Sequence, residues 1–160
     1  MKYTIQPDAT WGDGTPVTTR DVMFTWKAGG HPTAGIGNVE LHRRIHAIDV
    51  VDDKTFWIHY DRIGFEYAGI NDFRLLPAHI EEPIFDAAPE DYRNRTAFDT
   101  DPTNRSLYFG PYRIVEVVAG SRLVLERNET WWGKPPVFDR ITILAIEQTT
   151  ALEANLLSGN

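Results

Sequence analysis

The residues of this 160-residue chain able to do chemistry are its 5 histidines, several paired acids and a band of aromatics. His42 and His46 stand four apart, a spacing that places two imidazoles on one helical face and offers a metal ion two nitrogen ligands. Against that, Ile45 to Val51 reads as a strand, which breaks the helical register between the rings, and no third ligand lies near in sequence. Asp99-x-Asp101-x-Thr103 begins like a calcium loop, but Asn104 and Gly110 stand where the loop needs a glycine and a bidentate glutamate, so a solvated turn is expected. Ser106, Ser121 and Ser158 have no histidine assigned to them by any motif, and Gly12-x-Gly14 runs into Pro16 instead of a third glycine. Neither nucleophilic catalysis nor dinucleotide binding is indicated, and the expectation is a protein that is not an enzyme and carries no cofactor. Phe65, Tyr67 and Phe73 form a glycine-spaced aromatic stretch, and Trp131-Trp132 a doublet. Rings of this kind stack on a peptide or sugar, or simply fill a core or cover a sheet edge.

The elements that must position these residues follow from periodicity. Trp11 to Trp26 packs a turn and a helix start into one segment: Gly12 and Gly14 flank Asp13 and are expected to supply positive φ, and Pro16 holds the chain extended. Thr18 is an N-cap whose hydroxyl faces the Asp21 amide, with the Asp21 carboxylate reaching back as a capping box. The helix it opens presents Val22, Met23 and Trp26 on an apolar face, with Arg20, Asp21 and Lys27 off it, and stops near Gly29-Gly30. His31 to Asn38 is a loop, Val39 to Arg44 a helical turn, and Ile45 to Val51 with Thr55 to Tyr60 a hairpin whose apolar side holds Ile48, Val50, Phe56 and Ile58. Pro77 opens a short helix through His79 to Glu82, which Pro83 is expected to end. Ala87 to Asn104 reads as a surface helix and an irregular crossover. Tyr112 to Val118 and Leu123 to Leu125 form a second hairpin across Ala119-Gly120-Ser121, followed by a strand from Phe138 to Ile146 and a helix from Gln148 to Leu157. A half-buried strand over Lys2 to Gln6, in which Tyr3 and Ile5 alternate with Lys2, Thr4 and Gln6, precedes all of these.

Composition narrows the function. A net charge of −7 without a basic run argues against nucleic acid, and no apolar run approaches the ~20 residues that span a bilayer. Zero cysteines excludes disulfides and thiolate chemistry. The 5 tryptophans and 6 tyrosines in an acidic, β-rich chain keep a carbohydrate-binding module open as an alternative.

The motif W-x-D-G-x-P-x-T-x-x-D-V-x-F-x-W from Trp11 to Trp26 resembles the signature of family 5 extracellular solute-binding proteins, the oligopeptide, dipeptide and nickel-binding components of ABC importers. Val51-Asp52-Asp53-Lys54-Thr55-Phe56, Leu75-Leu76-Pro77-Ala78-His79-Ile80, Phe109-Gly110-Pro111-Tyr112-Arg113-Ile114, Leu125-Glu126-Arg127-Asn128 with Trp131-Trp132, and Ala151 to Asn160 resemble further family segments in the same order. The signature residues carried over are Trp11, Asp13, Gly14, Pro16, Thr18, Asp21, Gly110, Pro111 and Tyr112. The resemblance implies an α+β fold: part of one lobe of a type II (cluster C) periplasmic binding protein, with mixed or antiparallel sheets and flanking helices. It implies an N-terminal region 1–103 and a β-rich region 104–160, both cut from a longer chain whose signal peptide is not in this stretch. The implied function is capture of a small solute, most simply a peptide, in the periplasm for permease subunits of an importer. Ligand contact is expected from Phe65 and Tyr67, and from His31 and Asn38 in the loop after the first helix. A metal-chelate binder of the same family, resting on His42, His46 and His79, is the other alternative. In a bacterial family the N-glycosylation pattern Asn128-Glu129-Thr130 carries no weight.

Overall fold

The computed structural model describes residues 1–36, 39–61, 73–146 and positions 148, 153 and 157. Strand β1 (Lys2–Thr4) leads to helix α1 (Thr19–Gly29), helix α2 (Val39–Arg44) and the hairpin β2 (Ile45–Asp52) and β3 (Thr55–Tyr60). Helix α3 (Ala78–Ala87), a 3₁₀ turn (Pro89–Asn94), the short helix α4 (Ala97–Thr100) and a second 3₁₀ turn (Arg105–Leu107) follow. Strands β4 (Tyr112–Val118), β5 (Arg122–Arg127) and β6 (Arg140–Leu144) close the described chain. The strands make two antiparallel sheets, ordered β1-β3-β2 and β4-β5-β6.

Helix α1 is the element shared by two cores. Val22 packs with Ile45, Ile48, Phe56 and Ile58 of the first sheet. Phe24 and Ala28 pack with Leu76, Ala78, Phe85 and Tyr92 around α3. The apolar surface is therefore wider than the Val22, Met23, Trp26 stripe: Phe24 is buried, whereas Met23 and Trp26 are half-buried at the edge. Asp21 is also buried, contrary to the expectation that it lies off the packed face. It is tolerated inside because one carboxylate oxygen accepts from the Thr18 N–H (2.8 Å), completing the capping box, and the other from the Ala78 N–H (2.8 Å) at the start of α3. One acid thus caps two helices.

Other departures have local causes. Gly14 takes φ +89°, but Gly12 has no positive φ; its glycine is needed because a Cβ there would sit 2.2 Å from the Arg105 carbonyl oxygen. The Thr18 hydroxyl takes the Arg20 N–H at 3.3 Å as well as serving the capping box. In the first hairpin Ile45 joins the core and Val50 is exposed near a register irregularity at the end of β2. Helix α3 runs through Pro83 to Ala87. Proline's fixed φ suits a helix; its missing donor and the crowding of its ring on the His79 carbonyl are offset by the last turn, drawn inward by Phe85, which lies edge-on to Phe24 and Tyr92.

Where a surface helix and an irregular crossover are expected over 87–104, the helical part is a 3₁₀ turn (Pro89–Asn94) followed by the short α4, with Tyr92 fully inside. Its hydroxyl donates to Glu81 at 2.6 Å, and the other Glu81 oxygen accepts from the Ala97 N–H at 2.9 Å. Burial pushes the Glu81 carboxyl above its ordinary range, outweighing these two donors. The strand expected over 138–146 is the shorter β6, and the helix expected from Gln148 to Leu157 lies almost entirely outside the described residues.

Candidate functional site

The signature turn is a structural clamp. Trp11 is fully buried, edge-on to Phe109 with ring centroids 5.0 Å apart and 6.2 Å from His79. Asp13 accepts from the Thr15 N–H at 2.9 Å and pairs with His79 Nε2 at 2.9 Å. Burial raises its pKa, but the hydrogen bonds from Thr15, His79 and Ser106 prevail and hold it at about 2. A serine, an aspartate and a histidine therefore meet here with the acid in the middle. Nucleophilic catalysis needs the imidazole between serine and acid, so this trio ties the turn to α3 and to the second 3₁₀ turn without activating Ser106.

Gly110, Pro111 and Tyr112 are likewise framework. The Asn128 side chain donates to the Gly110 carbonyl and its backbone N–H to the Pro111 carbonyl, each at 2.9 Å. The Tyr112 hydroxyl donates to the Phe138 carbonyl at 3.0 Å. Asn128 is buried and its amide oxygen accepts from the Thr130 hydroxyl at 2.8 Å, so the glycosylation-like triplet is a closed turn.

Of the residues expected to touch ligand, Asn38, Phe65 and Tyr67 lie outside the described residues. His31 is half-buried, edge-on to Phe85 with centroids 5.6 Å apart, and its Nδ1 is 3.3 Å from the Thr33 hydroxyl. Near its loop, an open groove of about 500 Å³ runs between α1 and α3, lined by Met23, Phe24, Trp26 and Gly30 and flanked by Arg20, Lys27 and Glu82. Arg20 pairs with Glu82 at 2.9 Å and Lys27 with Asp86 at 2.6 Å, so both cations of the rim are already neutralised. The groove can take an apolar side chain; among the described residues it offers no free charge for a peptide terminus. Sequence reasoning missed it because its walls come from helices about 60 positions apart in the chain.

The histidines of the metal-chelate alternative do not converge. His42 is buried, its ring lying over Gly29 and against Phe73 with centroids 5.3 Å apart. His46 is exposed on β2 and paired with Asp61, and His79 is held by Asp13. Among the described residues no three His, Cys, Asp or Glu side chains gather where they could hold a metal ion. Phe73, the third of the aromatic stretch, packs on His42 instead of facing a cleft. Nor do Trp131 and Trp132 form a flat sugar platform: their planes cross at 44°, Trp132 packs against the Ala9, Trp11 and Val17 core, and the Trp131 indole donates to the Lys134 carbonyl at 3.0 Å.

Against known proteins, the family model described as bacterial extracellular solute-binding proteins, family 5 Middle, matches residues 1–160. The oligopeptide-binding protein OppA of Mycobacterium tuberculosis is 30% identical over 160 residues, covering 96% of this chain and 25% of that protein. The chain thus spans about a quarter of the length of the curated relatives it matches. Among solved structures, the oligopeptide binding protein from Thermus thermophilus complexed with pentapeptide superposes with a TM-score of 0.82 at 26% identity, covering 100% of this chain and 31% of that one. NikZ from Campylobacter jejuni in complex with Ni(L-His) superposes at 0.80 with 19% identity, covering 99% and 30%, a likeness of fold alone. The mixed helical and antiparallel-sheet architecture is that of a portion of a type II periplasmic binding protein.

Proposed function

The chain belongs to the bacterial extracellular solute-binding proteins of family 5, and from that premise we propose that it forms part of a receptor that captures a peptide in the periplasm and delivers it to the permease subunits of an ABC importer. The family match over the whole chain, joined to the superposition on a pentapeptide-bound protein, is the observation that carries this reading. In this proposal residues 1–103 and residues 104–160 form two regions of the same lobe, and the ligand is enclosed when that lobe and a second one close about a hinge. The protein acts by binding and catalyses nothing. Phe65 and Tyr67 stack on the bound peptide, and the His31 to Asn38 loop borders it.

Calorimetric titration of the complete gene product with tri- to pentapeptides tests this. Saturable binding is expected, with Phe65→Ala and Tyr67→Ala each weakening it by about tenfold, the equivalent of one lost aromatic contact. Absence of heat with all peptides, together with absence of co-purified peptide by mass spectrometry, overturns it.

A further inference from the structure

The solvent face of the first hairpin carries a feature that peptide capture does not use. Between Ile45 and Ala47 the β2/β3 register shifts, so His46 is the extra residue of a bulge, a device that re-aims a side chain. It brings the His46 ring to the His59 ring across the strand pair, with centroids 6.0 Å apart and planes at 47°. Each ring is backed by its own carboxylate: His46 Nδ1 is 3.1 Å from Asp61 Oδ1, and His59 Nε2 is 2.8 Å from Asp49 Oδ2. The nitrogens those carboxylates do not engage are His46 Nε2 and His59 Nδ1. All four side chains are well exposed, from 41% to 69%.

We propose that His46 and His59 form an open two-imidazole site for a divalent late first-row transition cation, completed by water and supported by Asp49 and Asp61. Two imidazoles bound to one ion at nitrogen distances of about 2.0–2.1 Å place their ring centroids about 4.5–6.4 Å apart, depending on the angle at the metal. The observed separation of 6.0 Å falls within that span, so the rings need only reorient. A carboxylate on the far nitrogen of each ligand is the arrangement that fixes the tautomer and raises the basicity of metal-binding histidines. Two acids beside two imidazoles also give the face a local negative potential on a chain of net charge −7. Imidazole ligands favour Cu²⁺, then Ni²⁺ and Zn²⁺, over Ca²⁺ or Mg²⁺. The site is distinct from the His42, His46 and His79 set: it replaces a helical spacing by a cross-strand one, which only the hairpin register creates. It does not rest on the peptide-capture reading.

The test is titration of the full chain with CuSO₄, NiCl₂ and ZnCl₂ in a non-chelating buffer, followed by calorimetry and by the NMR signals of the imidazole C–H protons. One Cu²⁺ per chain is expected, with substoichiometric Cu²⁺ broadening His46 and His59 before His31, His42 and His79. His46→Ala and His59→Ala should each weaken binding by at least about tenfold, and Asp49→Asn by a smaller factor, as for other supporting carboxylates. The proposal is overturned if none of the three ions gives saturable heat up to millimolar concentration, if another histidine broadens first, or if the doubly substituted protein binds as tightly as the parent. The NMR measurement uses the unaltered protein, so it decides the matter even if a variant fails to fold.

Discussion

The two three-stranded sheets are built from similar alternating sequences yet end in opposite conditions. In β1-β3-β2, Ile48, Phe56 and Ile58 are buried because α1 lies across them. In β4-β5-β6, Val124 is the only fully buried strand residue among those described, while Val117, Val118, Ile143 and Leu144 remain exposed at 39–51%. Both sheets have paired backbones, so backbone pairing does not distinguish them. What differs, among the described residues, is whether a helix with its own apolar surface covers the face, and tertiary cover, not strand propensity, sets how much a side chain contributes to stability.

That contrast is open to direct attack. Ile58→Ala empties a site of 0% exposure and should cost about 2–5 kcal/mol, whereas Ile143→Ala at 51% exposure should stay within about 0.5 kcal/mol. Urea unfolding of both variants measures the difference, and equal losses would mean the second sheet is covered after all. Asp21→Ala removes the acceptor shared by Thr18 and Ala78 and should cost about 1–3 kcal/mol in the same assay, since two N–H groups lose their partner.

The two perturbed acids on the helical side predict pH effects of opposite sign. Asp13, held at about 2 against an ordinary 3.8, stabilises the fold above its unfolded value and loses that contribution as pH falls. The deficit of Asp13→Asn relative to the parent should therefore be largest above pH 3.8 and shrink toward pH 2. Glu81, raised by burial, favours the protonated folded state, so its contribution declines as pH rises out of the ordinary glutamate range toward its folded value. Glu81→Gln should flatten that decline in thermal melts taken across the interval. The smallest effect belongs to the rim of the α1/α3 groove: Arg20→Ala breaks an exposed ion pair and should change stability by about 0–1 kcal/mol, less in high salt.

The reach of sequence reasoning differed between the same regions. The Thr18 capping box, the Gly30 stop, both hairpins and the family were legible, because each rests on contacts a few residues apart or on an ordered string of motifs. Helix α3 past Pro83 and the 3₁₀ form of the turn over 89–94 were not legible, since Phe85 and Tyr92 are held by partners that local pattern does not reveal. Of the residues expected at a ligand, only His31 is among those described, and its ring packs on Phe85, a neighbour no local spacing announces.

What this sequence determined alone was the set of local devices: a glycine-bounded bend at Trp11, a threonine-started helix, and strands whose alternation marks them as half-buried. Only tertiary structure decided that Asp21 would be buried and cap two helices, that Gly12 would be needed for a backbone contact with Arg105, and that His46 would meet His59. The reason is physical: capping and turn preferences act through bonds spanning a few residues, whereas burial and cross-strand proximity depend on which distant surface arrives to exclude water.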